Sequence, residues 1–163
     1  MPAKTQLNLP AFDVQLRRDS DSRRGGLEVY DILRRKWVAL TPEEWVRQHF
    51  VHFLITHRDF PASFMANEVA LKLNDTARRA DTMVYTRDLR PLCVVEYKAP
   101  DIVLTQKVFD QIARYNSVVE APFLIVSNGM HHYCCRYTGT GYTFLRDIPP
   151  YAAMSGGAFG NPK

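Results

Sequence analysis

The stretch Leu92-Cys93-Val94-Val95-Glu96-Tyr97-Lys98, stopped by Ala99-Pro100, decides the fold. It is apolar on both faces until its last residues, the pattern of a strand buried in the middle of a sheet. Downstream, Asp101 is a candidate cap for a helix over about 102 to 119, whose apolar side carries Val103, Val108, Phe109, Ile112, Tyr115 and Val119. Phe123-Leu124-Ile125-Val126-Ser127 is a second continuous apolar strand, opened by Pro122 and closed by the turn pair Asn128-Gly129. Because a helix intervenes, the two strands are expected to run parallel, joined by a right-handed crossover. Further strands are expected near 131 to 137 and 142 to 145, and the glycine-rich end from Tyr151 to Lys163 is expected to be loosely held.

Upstream of the central stretch, a polar Arg87-Asp88-Leu89-Arg90-Pro91 connection leads back to an extended segment over 81 to 86. Before it, Val69, Leu71 and Leu73 alternate with polar neighbours over 67 to 73, ending at the turn pair Asn74-Asp75. Thr41-Pro42-Glu43-Glu44 opens a helix over about 42 to 57: Thr41 caps it, Pro42 fits its first position, and Glu44 stands where a capping-box carboxylate reaches back. Residues 1 to 40 have few helical signals and suggest a short hairpin or two irregular strands. The expected fold class is therefore α/β in the order α-β-β-β-α-β, a central mixed sheet flanked by helices. A β extension over 1–40 precedes a core over 41–148, and a flexible tail follows over 149–163.

With 163 residues and 46% hydrophobic content, the chain can bury roughly 68 to 70% of its unfolded surface, enough for one core that needs no disulfides. The odd set Cys93, Cys134 and Cys135 fits reduced thiols in a cytoplasmic protein. His131-His132-x-Cys134-Cys135 lacks a zinc-type spacing. Met1 to Pro10 lacks the apolar run of a signal peptide, and no stretch approaches ~18 apolar residues, so neither export nor a membrane span is expected. A Gly-x4-Gly-Lys-Ser/Thr nucleotide loop is missing too, so any energy-dependent step is expected to come from a partner. The net charge of +4 permits a polyanionic partner without requiring one.

Glu96 and Lys98 are two apart on a strand and so share a face with Val94 and Leu92. A hairpin closed around 87 to 91 sets Asp81 across from about Tyr97, next to both Glu96 and Lys98. Two neighbouring carboxylates repel unless a cation sits between them, and oxygen donors of this kind suit Mg2+ or Mn2+. Such an ion lowers the pKa of its bound water, and a nearby ammonium can orient that water. The outline is that of phosphodiester hydrolysis, with a strand-end ion pair as the plainer alternative.

Asp81 followed by Glu96-Tyr97-Lys98, after a glutamate-bearing helix, resembles the PD-(D/E)xK nucleases. The stretches Tyr30 to Trp37, Leu40 to Gln48, Arg79-Ala80-Asp81, Val95 to Pro100, Gln111 to Tyr115 and Ser127-Asn128-Gly129 resemble the N-terminal endonuclease domain of type I restriction subunits. The resemblance covers about residues 28 to 137 and implies a restriction-endonuclease-like core. It further implies that Asp81, Glu96 and the Tyr97 carbonyl hold the metal, that Lys98 positions the water, and that Glu44 faces the site. Gln111 and Tyr115 match a Gln-x3-Tyr motif of RecB-like nucleases that lines the path of the nucleic acid, and helical spacing does put both on one face. The proline of the family name is Ala80 here. Arg78 and Arg79, just before Asp81, are candidates for contacting backbone phosphates. The expected partners are DNA and a separate helicase/translocase or restriction-system subunit, with a non-catalytic DNA-binding or assembly module on the same fold as the rival reading.

Overall fold

The computed structural model describes residues 5–157 except 22, 24, 74 and 75. The Asn74-Asp75 turn expected from the sequence lies outside the described residues. Three strands, β1 (Leu16–Arg18), β2 (Leu27–Asp31) and β3 (Lys36–Ala39), form a small antiparallel sheet in the order β1-β2-β3. The sequence suggests at most two of them. The third arises because Arg35, at φ 53, turns the chain so that Trp37 pairs with Tyr30 and Val38 with Val29.

Helix α1 (Pro42–His57) has the expected bounds, and the Thr41 hydroxyl accepts the Glu44 N–H at 3.1 Å. Strands β4 (Met65–Leu73), β5 (Thr76–Tyr85) and β6 (Pro91–Tyr97) follow, then helix α2 (Gln106–Val119), β7 (Phe123–Ser127), β8 (His132–Tyr137), β9 (Tyr142–Leu145) and a short helix α3 (Tyr151–Ser155). The six later strands form one sheet in the order β4-β5-β6-β7-β8-β9. Its pairs are antiparallel except β6 with β7, which run parallel as the intervening helix requires.

α2 starts later than expected. Asp101 lies in a turn in which the Ile102 N–H donates to the Ala99 carbonyl, and the cap is Thr105, whose hydroxyl accepts the Val108 N–H at 3.3 Å. The expectation of a loose end from Tyr151 to Lys163 is corrected for Tyr151–Ser155, while residues 158–163 lie outside the described residues. Tyr151 and Met154 are both buried, the Tyr151 ring meets Phe60 edge-on, and its hydroxyl donates to the Tyr85 carbonyl at 2.9 Å.

α1 covers one face of the large sheet and α2 the other. Val46, Phe50, Val51 and Leu54 of α1 pack with Val84, Cys93, Val95, Tyr97 and Ile125. Under α2, Ile112, Val108 and Phe109 meet Ala80, Met83, Val94, Leu124 and Val126. α1 is enclosed on its outer side as well. Leu7 belongs to the core under it, Trp45 donates to the Thr5 carbonyl at 2.9 Å, and Phe12 stacks on His52 at 3.7 Å. The outer cover accounts for the burial of His49, whose ring meets Phe12 at 4.8 Å, whereas Arg47 is buried on the sheet side over Tyr97. Gly129 has to be glycine: its φ is +83, and a Cβ there would come within 2.7 Å of the Leu7 side chain.

Candidate active site

β5 and β6 pair as Thr82 with Val95 and Met83 with Val94, which sets Asp81 beside Glu96. This is one residue from the register expected from the sequence. The loop is not symmetrical, because the pairing shifts between Val84 and Tyr85 and lets Tyr85 meet Pro91. The Tyr97 N–H then donates to Asp81 Oδ2 at 2.9 Å, tying the aspartate to the end of β6. Val94 lies under α2 while Val95 and Tyr97 lie under α1, so alternation puts Glu96 on the α2 side. Leu92 packs with the α1 cluster, so it does not share the Glu96 side as expected.

Burial, together with the charge of Asp81 and a hydrogen bond to it, pushes the Glu96 carboxyl up to about 9, with Lys98 only partly offsetting this. The positive charge near Glu96 is thus too weak to offset its burial and the neighbouring Asp81. Lys98 donates its backbone N–H to Ser127 at 2.9 Å, and among the described residues its ammonium makes no ion pair. Among the described residues no group of three or more His, Cys, Asp or Glu side chains is arranged to hold an ion. The donors on offer are two carboxylates and neighbouring carbonyls, which fits Mg2+ or Mn2+: these ions use one or two carboxylates and complete their shell with water and substrate phosphate.

A buried arginine approaches the same strand end from α1. Arg47 is 5% exposed, and its Nη2 lies 2.5 Å from Glu68 Oε1 and 3.9 Å from Asp81 Oδ1, with Nε 3.6 Å from Glu44 Oε2. Its guanidinium stands over the Tyr97 ring at 5.8 Å, and Nε and Nη1 have no hydrogen-bond partner. Burial alone would lower its pKa, but Glu44, Glu68 and Asp81 raise it, so the charge stays. Glu68 sits within β4 at φ 57, a left-handed conformation that costs a non-glycine residue about 1–3 kcal/mol. The pleat slips here: Asn67 and Thr82 point toward Tyr97 under α1, whereas Val69 and Ala80 join the α2 cluster.

Glu44 does not close a capping box. Its Oε1 accepts from Arg34 Nη2 at 2.5 Å and Gln48 Nε2 at 3.0 Å, so it reaches the strand end only through Arg47. Arg34 also holds the fully buried Asp31, whose Oδ2 accepts from Asn67 Nδ2 at 2.9 Å. Asn67 Oδ1 accepts from the Thr82 hydroxyl at 2.6 Å, and that hydroxyl lies 2.8 Å from the Tyr97 hydroxyl. Burial opposes ionisation of Asp31, but hydrogen bonds from the Arg34 backbone, Asn67 and the Arg34 side chain hold it below the usual carboxylate range.

On the other side, the Arg78 guanidinium stacks over Tyr115 of α2 at 4.0 Å. Gln111, one turn earlier on α2, is exposed, and Arg79 is exposed with Nη1 3.8 Å from Glu68. The structure thus brings Asp81, Glu96 and Tyr97 together, with Lys98 adjacent and Arg78 beside Tyr115. It adds Arg47 and Glu68, which sequence reasoning missed and of which only the Glu44-to-Arg47 spacing of three residues gives a signal, and it gives Asp31 and Arg34, from the stretch Tyr30 to Trp37 that resembles the family, a place in the network behind the site. A cleft lined by Thr86, Pro91, Pro122 and Arg136 lies at the opposite end of β6 from the carboxylates.

A mixed six-stranded sheet with one helix on each face is a restriction-endonuclease-like α/β fold. The family model described as Type I restriction enzyme R protein N terminus matches residues 42–149, and the chain belongs to that family. Among solved structures it is similar to a fragment described as an HsdR subunit of a type I restriction enzyme from Vibrio vulnificus YJ016, at 19% identity and a TM-score of 0.50. The match covers 66% of this chain and 23% of that one, so the chain spans under a quarter of its neighbour's length. No curated protein matches it.

Proposed function

We propose that this domain is a metal-dependent endonuclease that hydrolyses DNA phosphodiester bonds, with the Asp81, Glu96 and Lys98 set of PD-(D/E)xK nucleases. One observation carries the reading: Asp81 and Glu96 are adjacent at a strand end where burial and mutual repulsion disfavour two negative charges unless a cation joins them. Asp81, Glu96 and the Tyr97 carbonyl hold Mg2+ or Mn2+. The bound ion supplies a more acidic water and a polarised phosphoryl oxygen. Lys98 orients the attacking water, and Glu44 acts through Arg47 on the position of Asp81. Gln111 and Tyr115, in the manner of a Gln-x3-Tyr motif, line the path of the nucleic acid, and Arg78 and Arg79 contact its phosphates, whose affinity then falls with salt. Family membership supports a restriction context, in which a separate translocase or restriction-system subunit is the partner.

Purified protein with Mg2+ or Mn2+ is expected to nick or cut plasmid DNA, and Glu96→Ala or Lys98→Ala to reduce the rate by at least about 100-fold, the scale of one general-base or electrostatic contribution. Cleavage unchanged in both variants would sink the assignment. DNA binding without cleavage under any metal condition would instead favour a non-catalytic module.

A further inference from the structure

The charge next to Asp81 is already half supplied by the protein itself. Arg47 cannot lose its proton in a protein, is nearly sealed from solvent, and lies between Glu44, Glu68 and Asp81. Two of its nitrogens, Nε and Nη1, have no hydrogen-bond partner, so the guanidinium is not held there by a full set of hydrogen bonds. What the position provides is one fixed positive charge among carboxylates. Glu68, opposite Asp81 on β4, is turned into the left-handed region and carries the shortest of these contacts to Arg47. Two sides of Asp81 are therefore unlike: Glu96 on β6 brings a second carboxylate whose charge Lys98 only partly offsets, whereas Glu68 on β4 brings a carboxylate already paired with Arg47.

We infer that Arg47 is a built-in substitute for a second divalent cation: it neutralises Glu68 and the near side of Asp81, limits the site to one ion on the Asp81–Glu96 side, and so positions Asp81 as a ligand. This rests on the metal-binding reading proposed above. Removing the arginine leaves Asp81 without a cation and Glu68 with only the exposed Arg79 at 3.8 Å, while Glu44 keeps Arg34, and it opens a place for another ion beside Asp81 and Glu68.

Calorimetric titration and electron paramagnetic resonance with Mn2+ test this on the full chain without DNA. Wild type is expected to bind one Mn2+ per chain, lost in Asp81→Asn, with the spectrum of an isolated ion. Arg47→Gln is expected to bind two, with the spectrum of a coupled pair, and Arg47→Lys to keep one. In Arg47→Gln/Glu68→Gln the second ion is expected to bind at least tenfold more weakly. If Arg47→Gln is unfolded without metal, Mn2+ is expected to restore its fold; failure to do so overturns the inference. One ion in both wild type and a folded Arg47→Gln, or two in wild type, also overturns it and leaves the metal reading intact. No Mn2+ bound to wild type removes the metal reading itself and this inference with it.

Discussion

Burial and the neighbouring Asp81 favour a proton on Glu96 far above the pH at which a solvated glutamate loses it. Because the folded state binds this proton more tightly than the unfolded state, the associated stability is full below the ordinary value of 4.5 and is lost as pH rises through about 9. Metal-free wild type is therefore expected to lose Tm across that window more steeply than Glu96→Gln, as differential scanning calorimetry at several pH values would show; parallel curves would mean that Glu96 titrates normally. The shared face of Glu96 and Lys98 was legible in the sequence because two-residue spacing on a strand is a local rule, and the expected hairpin brought Asp81 to within one residue of its place beside Glu96. Arg47 and Glu68 were not, since they come from separate elements and meet only when α1 packs across β4. The turn of the Glu68 backbone, which aims that carboxylate, leaves no mark in a chain that offers no glycine at the position.

Among the elements, α1 follows its sequence most closely. Thr41, Pro42 and the apolar spacing act within one turn of each other, and the helix has the bounds they imply. Thr41→Ala is expected to cost about 1 kcal/mol in chemical denaturation, the usual worth of a helix N-cap. A cost near zero would mean that tertiary packing alone fixes the helix start. β6 and β7 were legible for a different reason: both are apolar on two faces, and only a central strand in a parallel pair satisfies that. The start of α2 was not, because Asp101 and Thr105 are both good caps and the choice falls to a turn at Ala99–Ile102 that holds Asp101 outside the helix. The register of β5 on β6 depends likewise on one irregular step at Tyr85, which symmetrical counting across a loop does not foresee.

For the molecule as a whole, the short helix Tyr151–Ser155 completes the core instead of trailing from it. A run of glycine and alanine hid this, although Tyr151 and Met154, three residues apart, are the two apolar anchors of one helical turn. Met154→Ala is expected to destabilise the protein by about 2 kcal/mol, the lower end for a buried methionine, read from the denaturation midpoint. A change under about 0.5 kcal/mol would show that α3 is not docked, since only surface substitutions fall in that range.

The hydrogen-bonded path from Asp31 and Arg34 to Glu44, Asn67, Thr82 and Tyr97 bears on portability. A graft of this domain onto another protein, cut at the family boundary near Pro42, would leave behind the two side chains that bond Glu44 and Asn67. The smallest transplantable piece therefore includes the turn between β2 and β3.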